Sequence, residues 1–183
     1  MSSFIPKRVF LTNGVGRHKE KLNSFELALR DAGIAHCNLV PVSSIFPPRA
    51  QVISKGQGMK LISPGQVVFV VLSRNETDEP NRLISAAVGL ALPRDKNMYG
   101  YLSEVHAFGK TDSKTADYSE DLAIYMLAST MGLHFDPDKS WDELKQEWKI
   151  SGKIYRTTSV VQSAEGDKNG LWTSVVAACV LLP

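Results

Sequence analysis

The segment "GQVVFVVLS" (65–73) is a short, β-branched apolar run with the character of a buried strand, and a buried strand needs cover on both faces. That requirement limits the architectures open to the chain. Strand signals recur in "KRVFLTN" (7–13), "IAHCNLVPV" (34–42), "RLISAAVGLAL" (82–92) and "MYGYLSEVHAFG" (98–109). "KIYRTTSVVQ" and "LWTSVVAACVLL" add two more, joined by the hairpin-like polar loop "SAEGDKNG". The small residues of 82–92 point to close packing, "PRDKN" (93–97) reads as a turn, and "GVGRHKEK" after the first strand reads as a polar connection. Pro41 lacks an N–H, so its strand should end or bulge there.

Helical signals alternate with these strands. "LNSFELALRDAG" has Asn23 as expected N-cap, Glu26 three residues on, a Leu22/Leu27 staple and Gly33 as terminator. Its buried stripe is expected at Phe25, Ala28, Leu29 and Ala32. A long helix is expected over 113–131, stopped by Gly132, and a shorter one after Ser140, with Trp141, Leu144 and Trp148 as core or subunit contacts. With no internal repeat and no separating linker, the 183 residues read as one α+β domain of sheet layers covered by helices.

A formal charge of +2 argues against an electrostatic grip on nucleic acid and favours a small-molecule partner. No apolar run is long enough to span a membrane, and the N-terminus has no secretory pattern, so the expected compartment is the cytoplasm. Cys37 and Cys179 read as reduced core thiols, and His18, His36, His106 and His134 show no metal-ligand spacing.

The stretch "PVSSIFPPRA" (41–50) sets two serines at a strand exit and follows them with two prolines. It reads either as an ordinary loop or as backbone held for chemistry. In the second case the Ser44 hydroxyl attacks the carbonyl of Ser43, and β-elimination from the resulting ester leaves dehydroalanine, which hydrolyses to a pyruvoyl group. An ordinary serine hydrolase is disfavoured, because no G-x-S-x-G elbow surrounds Ser44. On the 98–109 strand, alternation groups Leu102, Glu104, His106 and Phe108 on one face. Glu104 there is either a desolvated carboxylic acid or a carboxylate facing water or pairing with His106.

"NLVPVSSIFPPRA" (38–50), "LNSFELALRDAGI" (22–34) and "AAVGLALPRDKNMYGYLSEVHAFG" (86–109) together resemble the pyruvoyl-dependent arginine decarboxylase family in order and spacing. The resemblance covers most of the chain, and Ser-Ser-Ile-x-Pro-Pro preceded by Asn-Leu is its most specific part. It implies a four-layer αββα sandwich of mixed sheets and a homotrimer with active sites between neighbours. It also implies a zymogen cut between Ser43 and Ser44 into a β subunit, 1–43, and an α subunit, 44–183. The cofactor so implied is a pyruvoyl group derived from Ser44, with no metal and no pyridoxal phosphate.

The implied reaction is decarboxylation of L-arginine to agmatine and carbon dioxide through a Schiff base, as an entry to polyamine synthesis or in acid resistance. The resemblance assigns proton donation to Glu104 and a processing or active-site role to Asn38, otherwise a turn or edge-strand asparagine. His106 stays structural. Glu26 falls where archaeal relatives in the family tend to carry Asp, which implies a guanidinium partner; its longer side chain is a departure, and helix capping alone would also explain it. Alternatives from the same reading are a pyruvoyl-dependent decarboxylase of another amino acid and an uncleaved binding or assembly module.

Overall fold

The computed structural model describes residues 4–133, 139, 142–144, 146 and 152–183. Along the chain the elements are β1 (Arg8–His18), α1 (Lys21–Ala32), β2 (Asn38–Pro41), β3 (Ile45–Phe46), β4 (Gln51–Ile53) and α2 (Lys55–Met59). They continue with β5 (Val67–Thr77), β6 (Leu83–Pro93), β7 (Gly100–Phe108), α3 (Asp112–Thr130), β8 (Ile154–Glu165) and β9 (Trp172–Leu182). Ser140, Trp141, Trp148 and His134 lie outside the described residues.

The strands form two sheets, one ordered β2-β5-β9-β1-β4 (sheet A) and the other β3-β7-β6-β8 (sheet B). Sheet A is mixed: β4 joins β1, and β2 joins β5, in parallel, whereas β9 is antiparallel to both neighbours. All pairs in sheet B are antiparallel.

Strand periodicity divides the apolar residues between separate cores. Val71, Val175, Ala177 and Cys179 of sheet A meet Ile84, Val88, Leu90 and Leu102 of sheet B. The intervening residues, Val68, Val70, Val176 and Ala178, turn to the other face of sheet A and pack against Ala28 and Ala32 of α1. On the far side of sheet B, Ala91 packs with Ala123, Ile124 and Leu127 of α3, joined by the buried Leu144. Each fully buried Val or Leu contributes about 1.5–3 kcal/mol relative to exposure, so β5 and β9 must be covered on both faces, as their composition requires. Burial also sets the thiols: both cysteines are free, and Cys179 is pushed up to about 12 by complete desolvation.

Glycines set the distance between helix and sheet. A Cβ at Gly14 would lie 2.2 Å from the Ala28 carbonyl oxygen, one at Gly16 equally close to that of Ser24, and one at Gly89 equally close to that of Ser119. This corrects the reading of "GVGRHKEK" as a connection, since β1 runs through both glycines to His18 because only they let α1 lie against it. Hydroxyls reinforce the contact: Thr12 Oγ1 donates to the Ala32 carbonyl at 2.6 Å, and Ser103 Oγ donates to that of Ser119. Gly89→Ala, which forces helix backbone away from the strand, is expected to destabilise the fold by about 3 kcal/mol, measurable by chemical denaturation.

Two further expectations are corrected. Helix α1 begins at Lys21 with Glu20 as N-cap and no capping side chain, so Asn23 and Glu26 form no capping box. Ser24, which a cap at Asn23 would place at the first helical position, is buried inside the helix and shares a 2.7 Å hydrogen bond with Ser174. Leu22 is 72% exposed and staples nothing, while Gly33 closes the helix at φ 83° as expected. Secondly, β8 and β9 are not a hairpin. β8 pairs with β6 in sheet B, and β9 lies between β5 and β1 in sheet A. A strand as apolar as β9 is accommodated at the centre of a sheet, where both edges and both faces are occupied. The connecting loop instead packs on the β5–β6 turn, where Asn81 N–H donates to the Gly166 carbonyl at 2.9 Å.

Candidate active site

Strand β2 ends at Pro41, and the last rung tying it to sheet A is Val42 N–H to the Val70 carbonyl, 3.0 Å. Two residues later the chain is already in sheet B: Leu102 N–H donates to the Ser44 carbonyl at 2.8 Å, ahead of the Ile45–Tyr101 pair. The Ser43–Ser44 peptide is therefore where the backbone crosses between sheets, with a hydrogen-bonded anchor on either side. Ile45 N–H donates to the Ser43 carbonyl at 2.9 Å, closing a three-residue turn centred on Ser44. That hydrogen bond polarises the carbonyl that the Ser44 hydroxyl would attack.

The exit is anchored as firmly. Phe46 is buried, and after Pro47 and Pro48 the backbone of Arg49 adopts φ 61°, with its guanidinium held by Asn97 Oδ1. A left-handed arginine persists only when its surroundings hold it. Here the Arg49 N–H also donates to the Lys96 carbonyl at 3.0 Å.

The β3–β7 register places Ser44 abreast of Leu102, and Glu104 follows two residues along β7 on the same face. That separation is about 7 Å of strand rise, so both residues share one end of the inter-sheet space. Leu102 and Val88, beside and across from Glu104, are fully buried, whereas the Glu104 side chain itself is exposed. Desolvation by partial burial raises the Glu104 carboxyl from its ordinary value, opposed by the backbone amide of Leu72 on β5. Among the described residues no ion pair involves Glu104, and His106 on its own strand is exposed.

Polar side chains from sheet A reach β7 at this point. Ser73 Oγ donates to the Val105 carbonyl at 2.5 Å, and Asn75 Nδ2 donates to that of Ala107 at 2.9 Å. Sequence reasoning passed over both, although polar residues at period two after an apolar run are a legible signal of inward-facing hydrogen bonds. The Ile45 and Leu102 amides carry no side-chain signature and were not legible.

The sequence matches the family described as pyruvoyl-dependent arginine decarboxylase over residues 8–183. A pyruvoyl-dependent arginine decarboxylase of Nitrosopumilus maritimus is 56% identical over 182 residues, covering 100% of both chains. A probable pyruvoyl-dependent arginine decarboxylase of Chlorobium limicola is 59% identical over 99% of both chains. A pyruvoyl-dependent arginine decarboxylase of Methanococcoides burtonii is 49% identical over 97% of this chain and 99% of its own. The chain belongs to the pyruvoyl-dependent arginine decarboxylase family.

Within the chain of this family member, the two remaining candidates stand apart from the serine pair. Asn38 opens β2, at the opposite end from Ser44, and its Nδ2 donates to the Gly65 carbonyl at 2.9 Å. The bend near Pro41 that would fold its amide back is absent, because Asn38–Pro41 is extended and paired with Val67–Val70. Glu26 lies on α1, paired with Arg30 Nε at 2.6 Å, beside a cavity of about 390 Å³ lined by both residues, Gly33, Ala35 and His36. Among the described residues no three His, Cys, Asp or Glu side chains form a metal-binding group, and no helix is long and apolar enough to cross a membrane.

Proposed function

We propose that this protein is a self-cleaving decarboxylase converting L-arginine to agmatine and carbon dioxide. The observation that carries the reading is the Ser43–Ser44 peptide, held between two sheets with an N–H on the carbonyl to be attacked and with Glu104 two residues along the strand from its partner Leu102. In the first step Ser44 Oγ bonds to the Ser43 carbonyl carbon and the Ser43–Ser44 C–N bond breaks, giving an ester and a free amine. Loss of the Ser44 α-proton then expels Ser43 as a carboxylate and leaves dehydroalanine at 44, from which water removes ammonia. The products are residues 1–43 and 44–183, the second beginning with a pyruvoyl group.

These residues fit that group: Ser44 is half-buried, and the Leu102 amide holds its carbonyl. Once formed, the pyruvoyl group supplies an electrophilic ketone and electron sink for loss of carbon dioxide, so neither a metal nor pyridoxal phosphate is invoked. Glu104, whose carboxyl is raised above its ordinary value by desolvation, is the group that delivers a proton to the substrate α-carbon. The Ser43 carboxylate, released at the chain crossing, lines the same end of the inter-sheet space.

In this reading the fold is a four-layer αββα sandwich, with α1 outside sheet A and α3 outside sheet B, and three cleaved protomers form the enzyme. Trimer formation would bring Asn38 and Glu26 of one protomer to the serine pair of another, the arrangement suggested by their separation within a single chain. The free cysteines fit the proposed cytoplasmic compartment.

Intact mass under denaturing conditions, together with carbon dioxide release from a panel of amino acids, tests the proposal. Two fragments and activity on arginine are expected. One persistent full-length species would leave an uncleaved binding module, and release from another amino acid alone would reassign the substrate. For Glu26→Gln, loss of a charge-assisted contact to the guanidinium is expected to raise KM for arginine about tenfold while kcat stays within about twofold. An unchanged KM would confine Glu26 to its pair with Arg30.

A further inference from the structure

We propose that Ser73 is a positioning residue for Glu104, its hydroxyl strapping sheet A to sheet B and thereby setting how tightly the Glu104 carboxyl is enclosed. The inference rests on the reading of Glu104 as proton donor. Ser73 is 3% exposed, and its hydroxyl donates to the carbonyl of Val105, the residue directly after Glu104 on β7. The second strap, Asn75 to Ala107, advances two residues along both strands, so β5 and β7 run side by side in the same direction here. That register brings Leu72 level with Glu104, and the Leu72 backbone amide indeed faces the carboxyl.

A hydroxyl buried in an apolar layer is costly unless hydrogen-bonded, and the Ser73–Val105 bond fixes the strand separation more narrowly than apolar contact would. Among the described residues no charged side chain forms an ion pair with Glu104 or shifts its carboxyl. On its own face the nearest titratable group is His106; β6 presents Val88, and the crossing segment presents only Ser43 and Ser44. On β5, Arg74 lies over the ring of Phe25 and pairs with Glu76, which also binds Lys21 at 2.6 Å, so these charges satisfy one another away from Glu104. The strap, which fixes the sheet separation and the Leu72 amide beside this partly desolvated carboxyl, is the variable left to tune the acid.

The test uses the assembled, processed protein and reads Glu104 directly, through the carboxyl infrared band that disappears in Glu104→Gln. In Ser73→Ala the loosened sheets admit water, and the titration of that band is expected to fall by about half a pH unit or more. The alkaline limb of kcat should move with it. Ser73→Thr, which keeps the hydroxyl, should restore the wild-type midpoint, and Ser73→Cys, with a longer and weaker bond, should lie between. Asn75→Ala loses a comparable strap farther from Glu104 and should leave the midpoint in place.

If Ser73→Ala does not assemble, Ser73→Cys carries the comparison alone. A wild-type midpoint in Ser73→Ala, or in Ser73→Cys where Ser73→Ala does not assemble, overturns the proposal, as does an equal shift in Asn75→Ala. Should the midpoint shift as expected while Glu104→Gln retains full kcat, the proton-donor reading fails and the strap stands as a structural element.

Discussion

Ser44→Ala is expected to yield a single uncut chain and to lose arginine decarboxylation by at least about 10⁴-fold, corresponding to about 5 kcal/mol of transition-state stabilisation. Both effects have one origin. The alanine keeps the backbone crossing, the Leu102–Ser44 hydrogen bond and the Ile45–Ser43 turn, none of which uses the side chain. It removes the nucleophile and the source of the ketone together. Ser43→Ala is the informative companion, because residue 43 contributes its carbonyl to the cleavage and not its hydroxyl. That variant should still give two fragments. Intact mass separates the two variants before any activity is measured; cleavage in Ser44→Ala, or its loss in both, would move the reactive bond elsewhere.

What was legible in the sequence depended on how local the determining interaction is. The apolar runs over 65–73 and 82–92, the stop at Pro41 and the Gly33 helix terminus follow from residue chemistry within a few positions, and the structure has each of them. The misread features depend on partners far along the chain. Gly14 and Gly16 resemble turn glycines until α1 is placed across them, and Asn23 resembles a cap until Ser24 finds Ser174. The last two strands resemble a hairpin until β9 is seen between β5 and β1. The same distinction holds at the site. The serine pair and Glu104 were visible as residue types, whereas the sheet-to-sheet crossing that brings them to one place arises from the β2–β5 and β3–β7 pairings. Asn38 and Glu26 have no such pairing to the serine pair within the chain.

Glu104→Gln is expected to separate processing from turnover. Glutamine has nearly the same shape and can still face the Leu72 amide, so the fold and the Ser43–Ser44 turn should persist and two fragments should form. Without an acidic proton at this position, kcat should fall by about 10²- to 10³-fold, with a smaller change in KM. The pH dependence supplies the sign. Glu104 works in its protonated form, so wild-type kcat should decline as pH rises through the carboxyl's pKa, and desolvation moves that decline upward from the ordinary carboxylate value. In Glu104→Gln the residual rate should lose that limb, since the amide does not titrate. Retention of the limb in the variant would assign it to another group and leave Glu104 as a lining residue. Loss of cleavage in the variant would instead tie Glu104 to formation of the ketone, because the α-proton of Ser44 must also be removed at that end of the inter-sheet space.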